Sequence, residues 1–247
     1  HLLSRRQRQM CIRDSVISVM PCTSKKAEAA LPTMKDACGG PDVDVVITTR
    51  ELVRMLRCSM IDPAALDESS FDSPLGSGTG AAVIFGATGG VMEAALRTAY
   101  ALLAGEELKN PDIISVRGLN NSLVEATVPI PLKAQGGKIF ELRVAVVNGA
   151  LQDLKNVMKI INEDKDRWHF IEVMNCPGGC VNGGGQPIVS AYKRMDVDPR
   201  AARAAGLYAE DESKTIRKSH ENPDIQKLYA EFLGEPNGHL AHKLLRR

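Results

Sequence analysis

Short apolar runs alternate with amphipathic helical patterns along most of the chain. Residues 16–20 and 44–47 are typical of short buried strands, and residues 139–147 are typical of a longer β-branched strand. A helical pattern over 151–162 and an apolar run over 170–174 follow, and we expect that run to return parallel to the long strand. This alternation predicts an α/β fold with parallel or mixed sheets flanked by helices.

Several helices have recognisable boundaries. Thr48 and Glu51 have capping-box spacing, and the glycine-rich stretch 86–90 leads into a long helix that ends near Gly105. The chain is also expected to be helical after Ala201. The inward positions of the long helix are predicted to be Val91, Ala94, Ala95, Ala99 and Leu102. Those of the helix over 151–162 are predicted to be Leu151, Leu154, Met158 and Ile161.

Composition indicates an ordinary globular protein. The 247 residues are 44% hydrophobic and 25% charged, with a net charge of +1, which gives no basis for nucleic-acid or membrane binding. No apolar run reaches the roughly 20 residues of a membrane span. Residues 1–14 are basic, lack the apolar core of a secretory signal and are expected to be a non-native leader. We expect a main domain over 15–195 and a helical C-terminal region over 196–247, with a linker at 196–199.

The cysteines are too few for a disulfide scaffold in a chain of this length and are expected to be reduced thiols. Cys38 and Cys58 have no chemical neighbours in sequence and are expected to be small buried residues. Cys22 and the pair Cys176 and Cys180 follow predicted strands, where open parallel sheets place their ligand sites.

Glycines strengthen the weak Cys-x-x-x-Cys signal. Gly178 and Gly179 let the backbone wrap closely around a bulky group, and their amides are expected to donate to sulfur. Thiolates without a histidine nearby in sequence favour an iron–sulfur cluster, with zinc as the alternative.

Two segments resemble two of the three signatures of FeFe hydrogenases. They are Met20-Pro21-Cys22-x-x-Lys25-x-x-Glu28 and Met174-x-Cys176-Pro177-Gly178-Gly179-Cys180-x-x-Gly183-Gly184-Gly185-Gln186-Pro187. The segments 42–52, 71–76, 85–94 and 217–223 resemble the same family. The resemblance extends from Ser15 to the C-terminus and identifies the C-terminal part of the catalytic H-cluster domain, truncated at its N-terminus and followed by a small-subunit-like tail.

The resemblance implies two lobes with the metal site between them. Cys22, Cys176 and Cys180 would be three of the four ligands of a 4Fe–4S cluster. Cys180 would also bridge to a two-iron subsite that carries CO, cyanide and a dithiolate, which completes the H-cluster. In the same resemblance, Gly178 and Gly179 belong to the cofactor-binding loop.

Further roles follow from the same resemblance. Lys25 would donate a hydrogen bond to an iron-bound cyanide, and Met20 and Met174 would form an apolar wall around the two-iron site. Phe85 would line the same cavity. Glu28 is expected to pair with a neighbouring cation.

The implied activity is the reversible reaction 2H+ + 2e− ⇌ H2, with a ferredoxin-like electron carrier, dependence on maturation factors and a cytoplasmic location. The family's first signature, Thr-Ser-Cys-Cys-Pro, is absent from the sequence, so we expect no turnover by the chain as given. Two alternatives remain: a non-catalytic relative in cytosolic iron–sulfur assembly or prelamin recognition, and a hydrogen sensor. The first typically has Pro-Ser-Gly where this chain has Pro177-Gly178-Gly179, which favours the hydrogenase.

Overall fold

The computed structural model describes residues 15–35, 40–106, 108, 110–119 and 121–245, and only the backbone of 150–153. The predictions for residues 1–14 and for Cys38 lie outside these residues. The chain divides into two compact units, each built from separate stretches of sequence. Unit 1 comprises His1–Ser77, Gly183–Val189 and Pro223–Arg247, and unit 2 comprises Gly78–Asn182 and Ser190–Asn222. The division into domains at residues 195 and 196 stays a prediction.

Unit 1 contains a two-stranded parallel sheet. Its elements are β1 (Ile17–Met20), α1 (Ser24–Ala29), β2 (Val45–Thr48), α2 (Thr49–Cys58), α8 (Pro223–Leu228), a π-helical turn (Tyr229–Leu233) and α9 (His239–Leu245). In the sheet, Met20 lies opposite Thr48. The predicted capping box is confirmed, because the Thr48 side chain accepts from the Glu51 amide and the Glu51 carboxylate accepts from the Thr48 amide. That backbone hydrogen bond, helped by Lys26, lowers the pKa of Glu51 to about 2.

The strands of unit 1 are less buried than their sequences predict. Ile17, Val19 and Val45 are 60%, 44% and 47% exposed. An apolar run is buried only where other elements pack on both faces of its sheet, and the described residues leave these side chains open to solvent.

Unit 2 is built around a mixed three-stranded sheet in the order β3–β4–β5. Its elements are α3 (Gly80–Val83), α4 (Gly90–Ala104), β3 (Leu123–Leu132), β4 (Lys138–Asn148), α5 (Ala150–Glu163), β5 (Phe170–Met174), α6 (Ala191–Asp196) and α7 (Pro199–Ser213). β5 is parallel to β4, as the sequence predicted. β3, which the sequence pattern did not predict, is antiparallel to β4. Together the two units confirm the α/β class.

The central strand β4 has side chains buried on both faces. Val144 and Val146 pack with Met92 and Leu96 of α4, whereas Ala145 and Val147 pack on the opposite face. The residues around Ala145 and Val147 are Val157 of α5, Trp168, Leu123, Ile160, Ile161 and Ile171. The β-branched run therefore forms the middle layer between two helices, because alternate side chains point to opposite faces of a strand.

Two predicted helix faces were partly wrong. In α4, Ala94 is buried as predicted, but Leu102 is 69% exposed and the charged residues Glu93 and Arg97 are fully buried. In α5, Val157 is buried whereas Leu154 and Met158 are 42% and 49% exposed. The buried face of α4 was predicted wrongly because the helical pattern assigned Glu93 and Arg97 to the surface. Charged side chains that pair with each other can be buried.

The remaining connections are short. Residues 84–86 form a 3-10 turn just before the glycines that lead into α4. The predicted linker at 196–199 is the junction of two helices, where Asp198 caps α7 and Pro199 occupies its first turn. Among the described helices, none has the length and apolar content needed to cross a bilayer.

Candidate metal centre

The turn that carries Cys22 connects β1 to α1 and packs against the glycine-rich loop 183–187. The Gly185 amide donates to the Pro21 carbonyl at 2.8 Å. A Cβ atom on Gly185 would lie 2.8 Å from a Thr48 methyl carbon and 2.9 Å from the Pro21 carbonyl. This contact therefore requires glycine, which explains part of the Gly-rich signature.

Arg50, in the first turn of α2, holds the same loop in place through hydrogen bonds to its backbone. Its amide donates to the Gly185 carbonyl at 2.9 Å, and its guanidinium donates to the carbonyls of Gly184 at 2.5 Å and Gln186 at 3.0 and 3.1 Å. The planar fork of arginine suits this set of successive carbonyl oxygens. Sequence analysis did not identify Arg50, although it lies in a segment that resembled the family.

Lys25 and Glu28 form an ion pair on the exposed side of α1. The Lys25 Nζ atom lies 2.6 Å from the Glu28 carboxylate, and the two side chains are 45% and 40% exposed. The expectation that Glu28 pairs with a cation is confirmed, and the cation is Lys25 itself. A lysine ammonium has three donors, so this pair leaves capacity for a further acceptor.

The second cysteine loop follows β5 and is a tight glycine turn. Gly178 and Gly179 have φ values of +87° and +91°, which L side chains rarely adopt. The Gly179 amide donates to the Cys176 carbonyl at 2.8 Å, and a 3-10 turn begins at Cys180. The two cysteines therefore lie at the two ends of one compact turn.

This turn packs directly on the backbone that precedes α4. A Cβ atom on Gly179 would lie 2.7 Å from the Thr88 nitrogen and 2.8 Å from the Gly86 oxygen. The Thr88 amide donates to the Gly178 carbonyl at 3.2 Å. Close backbone packing, in addition to any contact with a cofactor, thus accounts for the glycines.

The glycine amides of this turn have oxygen acceptors. Gly178 donates to the side-chain oxygen of Asn148 at 2.6 Å, and Gly179 donates to Cys176 within the turn at 2.8 Å. The expectation that these amides donate to sulfur is not met. In each case an oxygen atom of the protein takes the hydrogen bond.

The predicted thiols are accessible. Cys22, Cys176 and Cys180 are half-buried and outside any disulfide, whereas Cys58 is exposed, so its predicted burial was wrong. Cys58 is the last residue of α2, where the chain returns to solvent. Phe85 is 43% exposed.

Three predicted cysteines belong to two units: Cys22 lies in unit 1, and Cys176 and Cys180 lie in unit 2. Met20 and Met174 end the strands that precede these cysteines, and both are half-buried. Within the described part of the chain, no three His, Cys, Asp or Glu side chains form a group that could hold a metal ion. A cubane cluster attaches each thiolate to a different iron, so its ligands are spaced more widely than those of one ion.

Glu172 is a functional candidate that sequence analysis missed. It is 6% exposed, and its carboxylate accepts from the amides of Gly89 at 2.8 Å and Met92 at 2.6 Å. Because Gly89, the N-cap of α4, has no side chain, Glu172 supplies the cap from β5. Burial raises the pKa of Glu172, although the two amide hydrogen bonds act in the opposite direction. A charged residue inside an apolar strand was the available signal.

A buried charge network joins α4 to α7 and to the segments at 112–117 and 217. Arg97 donates to both carboxylate oxygens of Asp211, at 2.9 and 2.8 Å, and to Glu93 at 2.8 Å. All three side chains are fully buried. The network has three arginines and three carboxylates: Arg97, Arg117, Arg217, Glu93, Asp112 and Asp211. Its charges balance, which makes their burial tolerable.

Comparison with known proteins places this geometry in a family. The family model named iron-only hydrogenase large subunit, C-terminal domain, matches residues 6–184. The family model named iron hydrogenase small subunit matches residues 196–246. The chain belongs to the iron-only hydrogenase family.

Individual relatives agree. The chain is 48% identical over 230 residues to the NADP-reducing hydrogenase subunit HndD of Solidesulfovibrio fructosivorans and 46% identical over 229 residues to iron hydrogenase 1 of Clostridium pasteurianum. Each alignment covers 93% of this chain but only 37% and 38% of the relative. A solved structure of the FeFe hydrogenase HydA1 from Chlamydomonas reinhardtii matches with a TM-score of 0.72 and 38% identity, over 93% of this chain and 61% of that one. The cytosolic Fe–S cluster assembly factor narfl of Xenopus tropicalis is 27% identical over 235 residues.

Proposed function

We propose that this chain is part of an FeFe hydrogenase that catalyses the reversible reduction of protons to H2. The observation that carries this proposal is the family match over residues 6–184, which includes Cys22, Cys176 and Cys180. The identity to named hydrogenases, 46–48%, exceeds the 27% identity to the iron–sulfur assembly factor. Because the chain spans less than two-fifths of those hydrogenases, the activity belongs to the longer protein that contains it.

The proposed cofactor is the H-cluster, a 4Fe–4S cluster joined to a two-iron subsite with CO, cyanide and dithiolate ligands. Cys22, Cys176 and Cys180 are its proposed ligands from this chain, and Cys180 is the proposed bridge. The donor chemistry fits, because all three are half-buried thiols outside any disulfide.

When bound, such a cofactor stores electrons and supplies the iron site at which hydrogen reacts. This chain positions the thiolates and shields them. Lys25 is proposed to donate a hydrogen bond to a cyanide ligand with a donor that its pair with Glu28 does not use. Met20, Met174 and Phe85 are proposed to form the apolar wall that limits access of water.

The remaining assignments are part of the same proposal. The electron partner is a ferredoxin-like carrier, assembly depends on maturation factors, and the protein works in the cytoplasm. Residues 1–14 are proposed to be a non-native leader, 15–195 a partial H-cluster domain and 196–247 the small-subunit-like region.

The test uses the complete reading frame that contains this chain, expressed together with FeFe-hydrogenase maturation factors. We expect hydrogen evolution, infrared bands from bound CO and cyanide, and iron with acid-labile sulfide. Replacing Cys176 by Ala should abolish all three signals. Cys58→Ala is the matched control, because Cys58 is exposed and should leave them unchanged.

Three results would contradict the proposal. A protein loaded with iron and sulfide but without CO and cyanide bands would belong to the non-catalytic iron–sulfur class. Zinc without sulfide, lost in Cys176→Ala, would indicate a zinc site. A protein with the bands but hardly any turnover would be a hydrogen sensor.

A further inference from the structure

We infer that Asn148 is a positioning residue for the Cys176–Cys180 turn and, through the Gly178 amide, tunes the cluster that this turn is proposed to hold. The inference rests on the proposed function for the cluster, but its geometric part concerns the protein alone. Asn148 is the last residue of β4 and lies opposite Met174, the last residue of β5. Its side chain is therefore placed where the chain leaves the sheet toward the first cysteine of the turn.

The Asn148 carboxamide uses its full hydrogen-bonding capacity. Its oxygen accepts from the Gly178 amide at 2.6 Å and from the Thr88 hydroxyl at 3.0 Å. Its nitrogen donates to the carbonyls of Gly118 at 2.9 Å and Leu119 at 3.1 Å. A carboxamide has two acceptor sites and two donors, so none is left over. The partners also fix which atom is oxygen, because an amide N–H can only donate and a carbonyl can only accept.

Burial makes these contacts specific. Asn148 is 5% exposed and Thr88 is 1% exposed, so water cannot readily replace a lost partner. Three separate segments meet at this one side chain: the residues before α4, the loop at 118–119 and the cysteine turn. The Gly178 amide is therefore held by a side chain that lies outside the turn.

The hydrogen bond from Gly178 to Asn148 should affect how many amides can donate to the cluster sulfurs. Hydrogen bonds from backbone amides to cluster sulfurs stabilise the more reduced state and raise the reduction potential. Asn148 draws the Gly178 amide to an oxygen and so withholds one donor from the neighbouring thiolates. Without this acceptor, the amide becomes available to sulfur, and the potential should become more positive.

The experiment compares the full-length wild-type protein with Asn148→Ala, Asn148→Asp and Thr88→Val. The midpoint potential is measured by EPR-monitored redox titration of the signal that disappears in Cys176→Ala. Asn148→Ala should shift it to a more positive value and lower the affinity for the cluster by about 10–100-fold. Asn148→Asp keeps the acceptor and adds a buried negative charge, so the shift should have the opposite sign. Thr88→Val removes one hydrogen bond to Asn148 but leaves that of Gly178, and the potential should stay at the wild-type value.

A second measurement needs no cluster. In the metal-free wild-type protein, the Gly178 amide should exchange slowly with deuterium, and in Asn148→Ala it should exchange faster. The inference is overturned if this amide exchanges freely in the wild type. It is also overturned if Asn148→Ala leaves the potential unchanged or more negative, or if Thr88→Val shifts it equally. If Asn148→Ala does not fold, Asn148→Asp and the wild-type exchange rate decide. A wild-type protein without any cluster would refute the proposed function, while the exchange rates would still decide the role of Asn148.

Discussion

Gly179→Ala should destabilise the protein strongly, and the structure separates two causes. Gly179 has a φ of +91°, and a left-handed backbone costs an L residue about 1–2 kcal/mol. The added Cβ would also lie 2.7 Å from the Thr88 nitrogen and 2.8 Å from the Gly86 oxygen. Backbone atoms cannot move aside like a flexible side chain, and overpacking of this kind costs about 1–3 kcal/mol. The expected loss of unfolding free energy is therefore about 2–5 kcal/mol.

The matched control is Gly137→Ala. Gly137 has a φ of +85°, but a Cβ there would meet nothing within 4 Å. This variant should therefore lose only the conformational part, about 1–2 kcal/mol. Urea unfolding of both variants beside the wild type gives the two values, with the slope m as a check that the denatured state is unchanged. Equal losses in the two variants would refute the argument that the cysteine turn packs tightly on residues 86–88.

Two further predictions concern buried charges. Burial raises the pKa of Glu172 above its ordinary value of 4.5, so the folded state holds the proton more tightly than the unfolded state. The unfolding free energy of the protein should therefore fall as the pH rises from about 4.5 through the raised pKa. Urea unfolding across this range should show the fall in the wild type and not in Glu172→Gln. Arg97→Met would remove the fully buried guanidinium between Glu93 and Asp211 and leave three carboxylates with only two arginines, so it should cost about 3–5 kcal/mol. Lys159→Ala, which removes an exposed pair, should cost no more than about 1 kcal/mol. Similar losses for Arg97→Met and Lys159→Ala would contradict the role given to the network.

Local sequence patterns predicted much of the fold. The succession of β4, α5 and β5, with β5 parallel to β4, agrees with the pattern over residues 139–174. The capping box at Thr48 and Glu51 also formed as predicted. These features depend on residues that are close in the chain, so their signals can be read without knowledge of tertiary packing.

Burial was harder to predict because it depends on what packs against each face. Ile17 and Val19 have strand-like sequence and form a strand, yet they remain exposed. Arg97 was overlooked as a buried residue because its partner Asp211 lies 114 positions away in the chain. A helical pattern alone cannot reveal such a partner.

The candidate site was likewise predictable only where its residues are close in the sequence. The cysteines and glycines were visible as motifs, whereas the side chain that holds the turn was not. Asn148 precedes Gly149, and an Asn-Gly pair by itself indicates only a turn. Its partners Thr88 and Gly178 are 60 and 30 residues away, so only the folded chain reveals its role.

The two cysteine turns are held in place by similar side-chain hydrogen bonds. In unit 1 the Arg50 side chain donates to carbonyls of the loop that packs on the Cys22 turn, and in unit 2 Asn148 accepts from the amide of Gly178. In both cases a side chain outside the glycine-rich segment binds its backbone. Backbone atoms are common to every residue, so side chains that point outward from these segments can vary without loss of the contacts. Gly179 and Gly185 cannot vary in this way, because another stretch of backbone lies where a Cβ atom would be.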